Sequence, residues 1–152
     1  MTTLLFPGRH LAHTRFQEEY LEDLFRNPPR KLDKPEETLV LDQIVFAITS
    51  SNQENSRYNP IPFHVRAVGV DRFARKFSEH LGIDYRIIGI PHYGHTPLFV
   101  EHLLKEIKDQ TEGNLVLTPK NTVVLCSTPE LIPYYADAGF EHILPAELQS
   151  LN

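Results

Sequence analysis

Phe63-His64-Val65-Arg66-Ala67-Val68-Gly69-Val70-Asp71-Arg72-Phe73-Ala74-Arg75-Lys76-Phe77-Ser78-Glu79-His80-Leu81-Gly82-Ile83-Asp84-Tyr85-Arg86-Ile87-Ile88-Gly89-Ile90 is the stretch that decides the fold. Phe63, Ala67, Val70, Ala74, Phe77 and Leu81 return every three or four residues, the spacing of one apolar helix face. Gly82 stands where such a helix ends, because glycine accepts the left-handed backbone of a helix stop. Tyr85 to Ile90 then reads as a strand. A helix feeding a strand through a glycine is half of a βαβ unit, so the neighbouring segments decide whether the pattern continues.

It does in both directions. Upstream, Thr38 to Ile48 is rich in Val, Ile and Leu and fits a buried parallel strand. Before it, Asn27 to Glu37 is polar with three prolines and reads as an extended surface connection. Earlier still, Phe16, Tyr20 and Leu24 mark a helix from Thr14 to Phe25 with a capping box at Thr14-Arg15-Phe16-Gln17, and Thr3 to Phe6 is a short strand. Downstream, Thr96-Pro97 opens a helix carrying Phe99, Leu103, Leu104 and Ile107, and Thr122 to Cys126 is a strand. Thr128-Pro129 opens a last helix that stops at Gly139, before a short strand at His142 to Pro145. Strict alternation of strand and helix means a parallel sheet covered by helices on both faces. The expected fold is therefore α/β: a doubly wound, open, five-stranded parallel sheet of the Rossmann-like kind, in a single domain over 1–152.

Composition narrows the function classes. The chain has 152 residues, 41% of them hydrophobic and 23% charged, a globular balance with material for a core. No run approaches the roughly 18 apolar residues of a membrane span, and Met1 to Gly8 lacks the basic region of a signal peptide. A formal net charge of −5 argues against a general nucleic-acid binder. One cysteine, Cys126, excludes an internal disulfide framework and suits a reducing cytoplasm. Histidine is the unusual count, at eight. It titrates near neutrality, binds metals and donates to phosphates.

Ligands of doubly wound sheets bind at the carboxyl ends of the strands, so the residues after each strand carry the chemistry. After the first come Pro7-Gly8-Arg9-His10-Leu11-Ala12-His13-Thr14. Histidines three apart at a helix start, with Gly and Arg before them, form a phosphate-binding arrangement. The same residues would equally cap a helix or lie on the surface, and spacing alone leaves both open. After the second strand, Thr49 to Arg66 is a long polar loop with two arginines, Arg57 and Arg66. Loops longer than about 12 residues in a compact domain are uncommon and usually functional.

Together these segments resemble a family. Gly8-Arg9-His10-Leu11-Ala12-His13 is similar to the GRF…H-x-G-H signature of the HIGH-motif nucleotidyltransferases. Ser50-Ser51-Asn52-Gln53-Glu54-Asn55-Ser56-Arg57-Tyr58-Asn59-Pro60, with Phe63 and Arg66, looks like the G-S-A-Q…S…N-P-F…E-R segment of archaeal-type nicotinamide mononucleotide adenylyltransferases. Val124 to Leu131, running on to Ala138-Gly139-Phe140, is similar to that family's strand–S-N-N-P–helix–A-G-Y/F segment. The motifs are short, and their order along almost the whole chain carries more weight than any one of them.

The resemblance implies transfer of the adenylyl group of ATP to nicotinamide or nicotinic acid mononucleotide, with Mg2+ accompanying the triphosphate. It implies that His10, His13 and Arg9 act on the phosphates, with Gly8 and Thr14 in the same turn and Ser127 and Thr128 near adenine or phosphate. Ser50, Asn52, Ser56, Arg57, Asn59 and Arg66 would belong to the mononucleotide side. The expected partners are small nucleotides, with no nucleic acid and no membrane, and self-association is frequent in the family. The choice between amide and acid pyridines rests on a few loop contacts that the sequence does not fix.

The chain departs from the pattern in three places. Ala12 replaces a glycine of the motif, Arg9 abuts His10 where the family inserts several residues, and no S/T-x-x-R segment occurs between Leu144 and Asn152. The last departure leaves open two other functions: transfer to a different phosphate acceptor, and a catalytically weak nucleotide-binding or regulatory domain.

A second H-x-G-H, His92-Tyr93-Gly94-His95, follows the third strand rather than the first. In the archaeal-type family the corresponding strand end shapes the mononucleotide pocket. The resemblance therefore implies that His92 and Tyr93 lie in the substrate pocket, stacking on a base. A metal site at His92 and His95 lacks a third ligand in the sequence, so none is expected. His64, His80 and His102 are expected on helix surfaces, and Cys126 in the core.

Overall fold

Leu4, Leu5 and Phe6 are consecutive and all buried, yet they serve two different cores. Successive side chains of a strand point to opposite faces, so three buried neighbours require a strand covered on both sides. The computed structural model describes residues 2–8, 10, 15–31, 33–49, 62–91, 98–126 and 129–145, with Phe16 by its backbone alone. In it, strands β1 (Thr2–Gly8), β2 (Leu41–Thr49), β3 (Asp84–Ile90), β4 (Thr122–Leu125) and β5 (Ile143–Leu144) alternate with helices α1 (Arg15–Arg26), α2 (Phe63–Leu81), α3 (Phe99–Gln110) and α4 (Ile132–Asp137). The strands form one five-stranded sheet, all parallel, in the order β3-β2-β1-β4-β5. This is the doubly wound, Rossmann-like α/β architecture expected from the alternation.

One face of the sheet presents Leu4, Phe6, Ile44, Phe46, Ile48, Val123 and Leu125 to α1 and α2. The other presents Leu5, Val45, Ala47, Ile88, Ile90 and Val124 to α3 and α4. Each fully buried aliphatic or aromatic side chain stabilises the fold by about 1.5–3 kcal/mol. Helix α2 follows its apolar spacing and ends at Gly82, whose φ of +67° and N–H bond to the Ser78 carbonyl form the expected stop. Tyr20 ties α1 to the far edge, its hydroxyl donating to the Pro145 carbonyl at 2.7 Å.

Three of the boundaries that differ from the sequence reading have a reason in the local contacts. The second strand begins at Leu41, not Thr38, with Leu41 opposite Thr2, the first described residue of β1. Residues 38–40 pair instead within the proline-rich connection, where Thr38 bridges Arg30 and the Leu39 N–H reaches the Pro29 carbonyl. The last helix begins at Ile132 after a turn over 129–131, with a proline (Pro133) in its first turn. Pro133 rather than Pro129 is therefore the helix-opening proline. The first strand runs on through Pro7 and Gly8. Pro7 is accepted there because the ladder from β1 to β4 stops at Leu5–Val124, so the missing N–H costs no bond to β4.

Candidate functional site

Every strand is parallel, so the segments that leave their carboxyl ends leave from one edge of the sheet. The strand order reverses between β1 and β4, the switch point where doubly wound folds bind ligands. The ladder also opens there. Pairing of β1 with β4 ends at Leu5–Val124, while pairing with β2 continues to Gly8–Ile48. Among the described residues, 6–8 thus have no ladder partner on the β4 side. Strands lie about 4.8 Å apart. Chain leaving β1 and chain leaving β4 therefore start side by side, whereas the second histidine motif starts from β3, two strands (about 10 Å) from β1.

His10 follows β1 directly, and its ring turns back onto the strand. Its Nε2 lies 2.9 Å from the Phe6 carbonyl oxygen. A carbonyl can only accept, so Nε2 carries the hydrogen and donates. The ring meets Phe6 and Phe46 edge-on, with centroids 4.7 and 5.6 Å away, and only 8% of the residue is exposed. Its backbone is left-handed, at φ +53°, a conformation costing about 1 kcal/mol for a residue with a Cβ. The buried contacts hold that strain. An imidazole so placed fixes where the segment after β1 begins, and its Nε2 donor is committed to the protein. Gly8 lies under the same ring, 3.8 Å from Nε2 at the point where a Cβ would stand.

Arg66 lies on the first turns of α2 and is 2% exposed. Its Nη1 donates to the Thr49 carbonyl at 2.8 Å, and its own N–H reaches the Pro62 carbonyl. Thr49 and Pro62 are the last and first described residues on either side of the 50–61 segment. Arg66 therefore clamps the two ends of that loop together at the sheet edge. The sequence reading expects Arg66 on the mononucleotide side, and the contact observed is to the protein backbone.

Arg66→Met keeps the aliphatic bulk and removes the donor. Leaving the Thr49 carbonyl without it is expected to cost about 1–3 kcal/mol, read as a fall in Tm of about 2–4 °C per kcal/mol. An unchanged Tm would show that the clamp contributes nothing.

The other candidates fall outside the described residues: Arg9, His13 and Thr14 after β1, Ser50, Asn52, Ser56, Arg57 and Asn59 after β2, His92 and Tyr93 after β3, and Ser127 and Thr128 after β4. What the fold supplies is their points of departure, all on the carboxyl edge. Among the described residues no three His, Cys, Asp or Glu side chains group as a metal site. A magnesium ion arriving with a triphosphate would rest on phosphate oxygens and water, its usual ligands beside one or two carboxylates.

Among the remaining histidines, His64 and His80 are exposed on α2, where His80 Nε2 accepts from Arg26 at 2.9 Å, and His102 and His142 are half-buried. Cys126 is buried. The sequence reading did not single out Tyr135. It stands four residues after Leu131, on the inward side of α4, and is fully buried with its hydroxyl. A tyrosine at a core position of a short helix beside a strand end was the available signal. No described helix is long and apolar enough to cross a membrane. No protein-family model matches the chain, and no curated protein matches it in sequence.

Proposed function

We propose that the chain transfers the adenylyl group of ATP to the phosphate of nicotinamide or nicotinic acid mononucleotide. The observation that carries this reading is the opening of the β1–β4 ladder at the point where strand order reverses, with Gly8-Arg9-His10-Leu11-Ala12-His13 leaving β1 at that opening and Ser127-Thr128 leaving β4 beside it. In the reaction an oxygen of the mononucleotide phosphate attacks the α-phosphorus of ATP. The bond from that phosphorus to the bridging oxygen breaks, and pyrophosphate leaves with the electron pair. No covalent enzyme intermediate is needed, so catalysis is positioning plus stabilisation of charge on the phosphates. In this reading His13 and Arg9 donate to those phosphates, His10 sets the start of their segment, and Arg66 closes the base of the mononucleotide loop.

One observation favours a second reading, a nucleotide-binding domain without turnover. The Nε2 donor of His10 is already spent on the Phe6 carbonyl and is not offered to a phosphate. The two readings separate in one assay: the purified chain with ATP, Mg2+ and either mononucleotide. Release of pyrophosphate that depends on the mononucleotide supports the transferase. ATP binding without pyrophosphate release supports the binding domain.

A further inference from the structure

Strand β3 stands at one end of the sheet order, and among the described residues β2 is its one ladder partner. An edge strand presents backbone N–H and C=O groups ready to pair with another chain. The two halves of this edge differ. Toward the carboxyl end Ile88 and Ile90 are buried, and the Gly89 carbonyl accepts from Gln110 Nε2 of α3 at 2.6 Å. Toward the amino end Asp84 and Arg86 are exposed, and Tyr85 and Ile87 are half-buried. The segments 50–61 and 92–97 leave the described chain beyond the carboxyl ends of β2 and β3, far from Asp84.

Asp84 and Arg86 lie two apart and so share a face of the strand, the α3 face that Ile88 and Ile90 also join. Among the described residues neither belongs to an ion pair. Tyr85 turns to the α2 face. There its hydroxyl donates to one carboxylate oxygen of Asp71 at 2.6 Å, while Arg75 donates to the other. The open half of the edge therefore carries one acid and one base, symmetrically placed about a tyrosine.

We infer that this edge pairs with a second copy of the chain, β3 against β3, antiparallel about Tyr85. A closed two-fold contact between identical edges is self-complementary, and a dyad perpendicular to the sheet makes the two strands antiparallel. With Tyr85 on the dyad, Asp84 of each copy stands opposite Arg86 of the other. Two opposite-charge pairs then form on the α3 face, and the two Tyr85 rings form a cross-strand aromatic pair on the α2 face. Neighbouring registers fail. A shift of one residue sets α2-face side chains opposite α3-face ones. Centring the dyad on Asp84 or on Arg86 sets like charges directly opposite, which is destabilising. An edge charged with one sign repels its own copy, whereas this edge matches its copy in a single register. The two five-stranded sheets become one. Their carboxyl edges face opposite ways, so each copy keeps its own candidate site.

The test is sedimentation equilibrium of the full chain without ligand, from roughly 1 μM to 1 mM. The wild type is expected to be a dimer at the upper end of that range. Arg86→Asp turns both attractive pairs into like-charge pairs and should weaken dimerisation about ten- to hundredfold. Asp84→Arg combined with Arg86→Asp restores both pairs with their signs exchanged. It should bring the dimer back to within about threefold of wild type. Both positions are exposed, so each variant should keep its Tm within about 1 °C of the wild-type monomer. A wild-type chain that is monomeric throughout overturns the inference. A dimer that Arg86→Asp leaves intact overturns it as well, because another face then holds the copies together. A double variant no better than Arg86→Asp overturns the register and the inference with it. None of these results bears on the adenylyl-transfer reading, which product formation tests separately.

Discussion

His13→Ala is expected to lower adenylyl-transfer turnover by about a hundred- to a thousandfold, the usual effect of removing one donor aimed at developing charge. In the proposed reading His13 acts on the ligand rather than on the fold, so the variant's Tm should stay within about 1 °C of wild type. The argument turns on the contrast with its neighbour. His10 donates inward to the Phe6 carbonyl and packs between Phe6 and Phe46, so its loss combines a structural and a functional effect. His13 is three residues further along the segment that leaves β1 beside the β4 opening, and in the proposed reaction it supplies the donor that His10 has spent. His10→Ala should accordingly lower Tm and turnover together, and His13→Ala turnover alone. Full activity in His13→Ala would remove the phosphate-site assignment.

Phe46→Ala is expected to cost about 3–5 kcal/mol, the range for deleting a buried aromatic ring, and to lower Tm by roughly 6–20 °C. Phe46 is 0% exposed at the middle of β2. Its ring meets Phe6 at 5.8 Å, His10 at 5.6 Å and Phe73 at 6.3 Å. It thus joins two strands, helix α2 and His10, which follows β1. The cavity left by alanine cannot be refilled by the stiff strand backbones around it. His10 would lose one wall of its packing while holding a left-handed backbone, so nucleotide affinity should fall along with Tm. Phe46→Leu, which keeps much of the apolar volume, should lose less of both. A Phe46→Ala chain within 1 kcal/mol of wild type, measured by denaturant unfolding, would contradict the packing account.

The fold was legible because its signals are local and redundant. The apolar steps from Phe63 to Leu81, the stop at Gly82 and the alternation of strand and helix each point to the same sheet, and the sheet is all parallel as they require. Boundaries were less legible because they depend on partners. Thr38-Leu39-Val40 continues the apolar pattern of β2, but Thr38 and Leu39 bond back to the proline-rich connection and Val40 is left 68% exposed. Pro129 carries the signal of a helix start, yet the helix waits for Pro133. The strand ends that carry the candidate residues were legible, and the contacts of those residues were not. Residue type puts an arginine at 66 and a histidine at 10. Whether each faces ligand or protein is decided by burial across elements far apart in sequence, such as the 17 residues between Arg66 and Thr49. Tyr135 gave no motif at all. Its burial, with a hydroxyl that has no partner among the described residues, shows only in the three-dimensional packing.

The measurement that tests the central claim most directly is product formation. The chain would be incubated with ATP, Mg2+ and, separately, nicotinamide or nicotinic acid mononucleotide, and the mixture resolved by chromatography. The account predicts a dinucleotide formed in equimolar amount with pyrophosphate, from at least one of the two acceptors. ATP bound by the chain with neither dinucleotide nor pyrophosphate appearing, under conditions where the protein is folded, would contradict it.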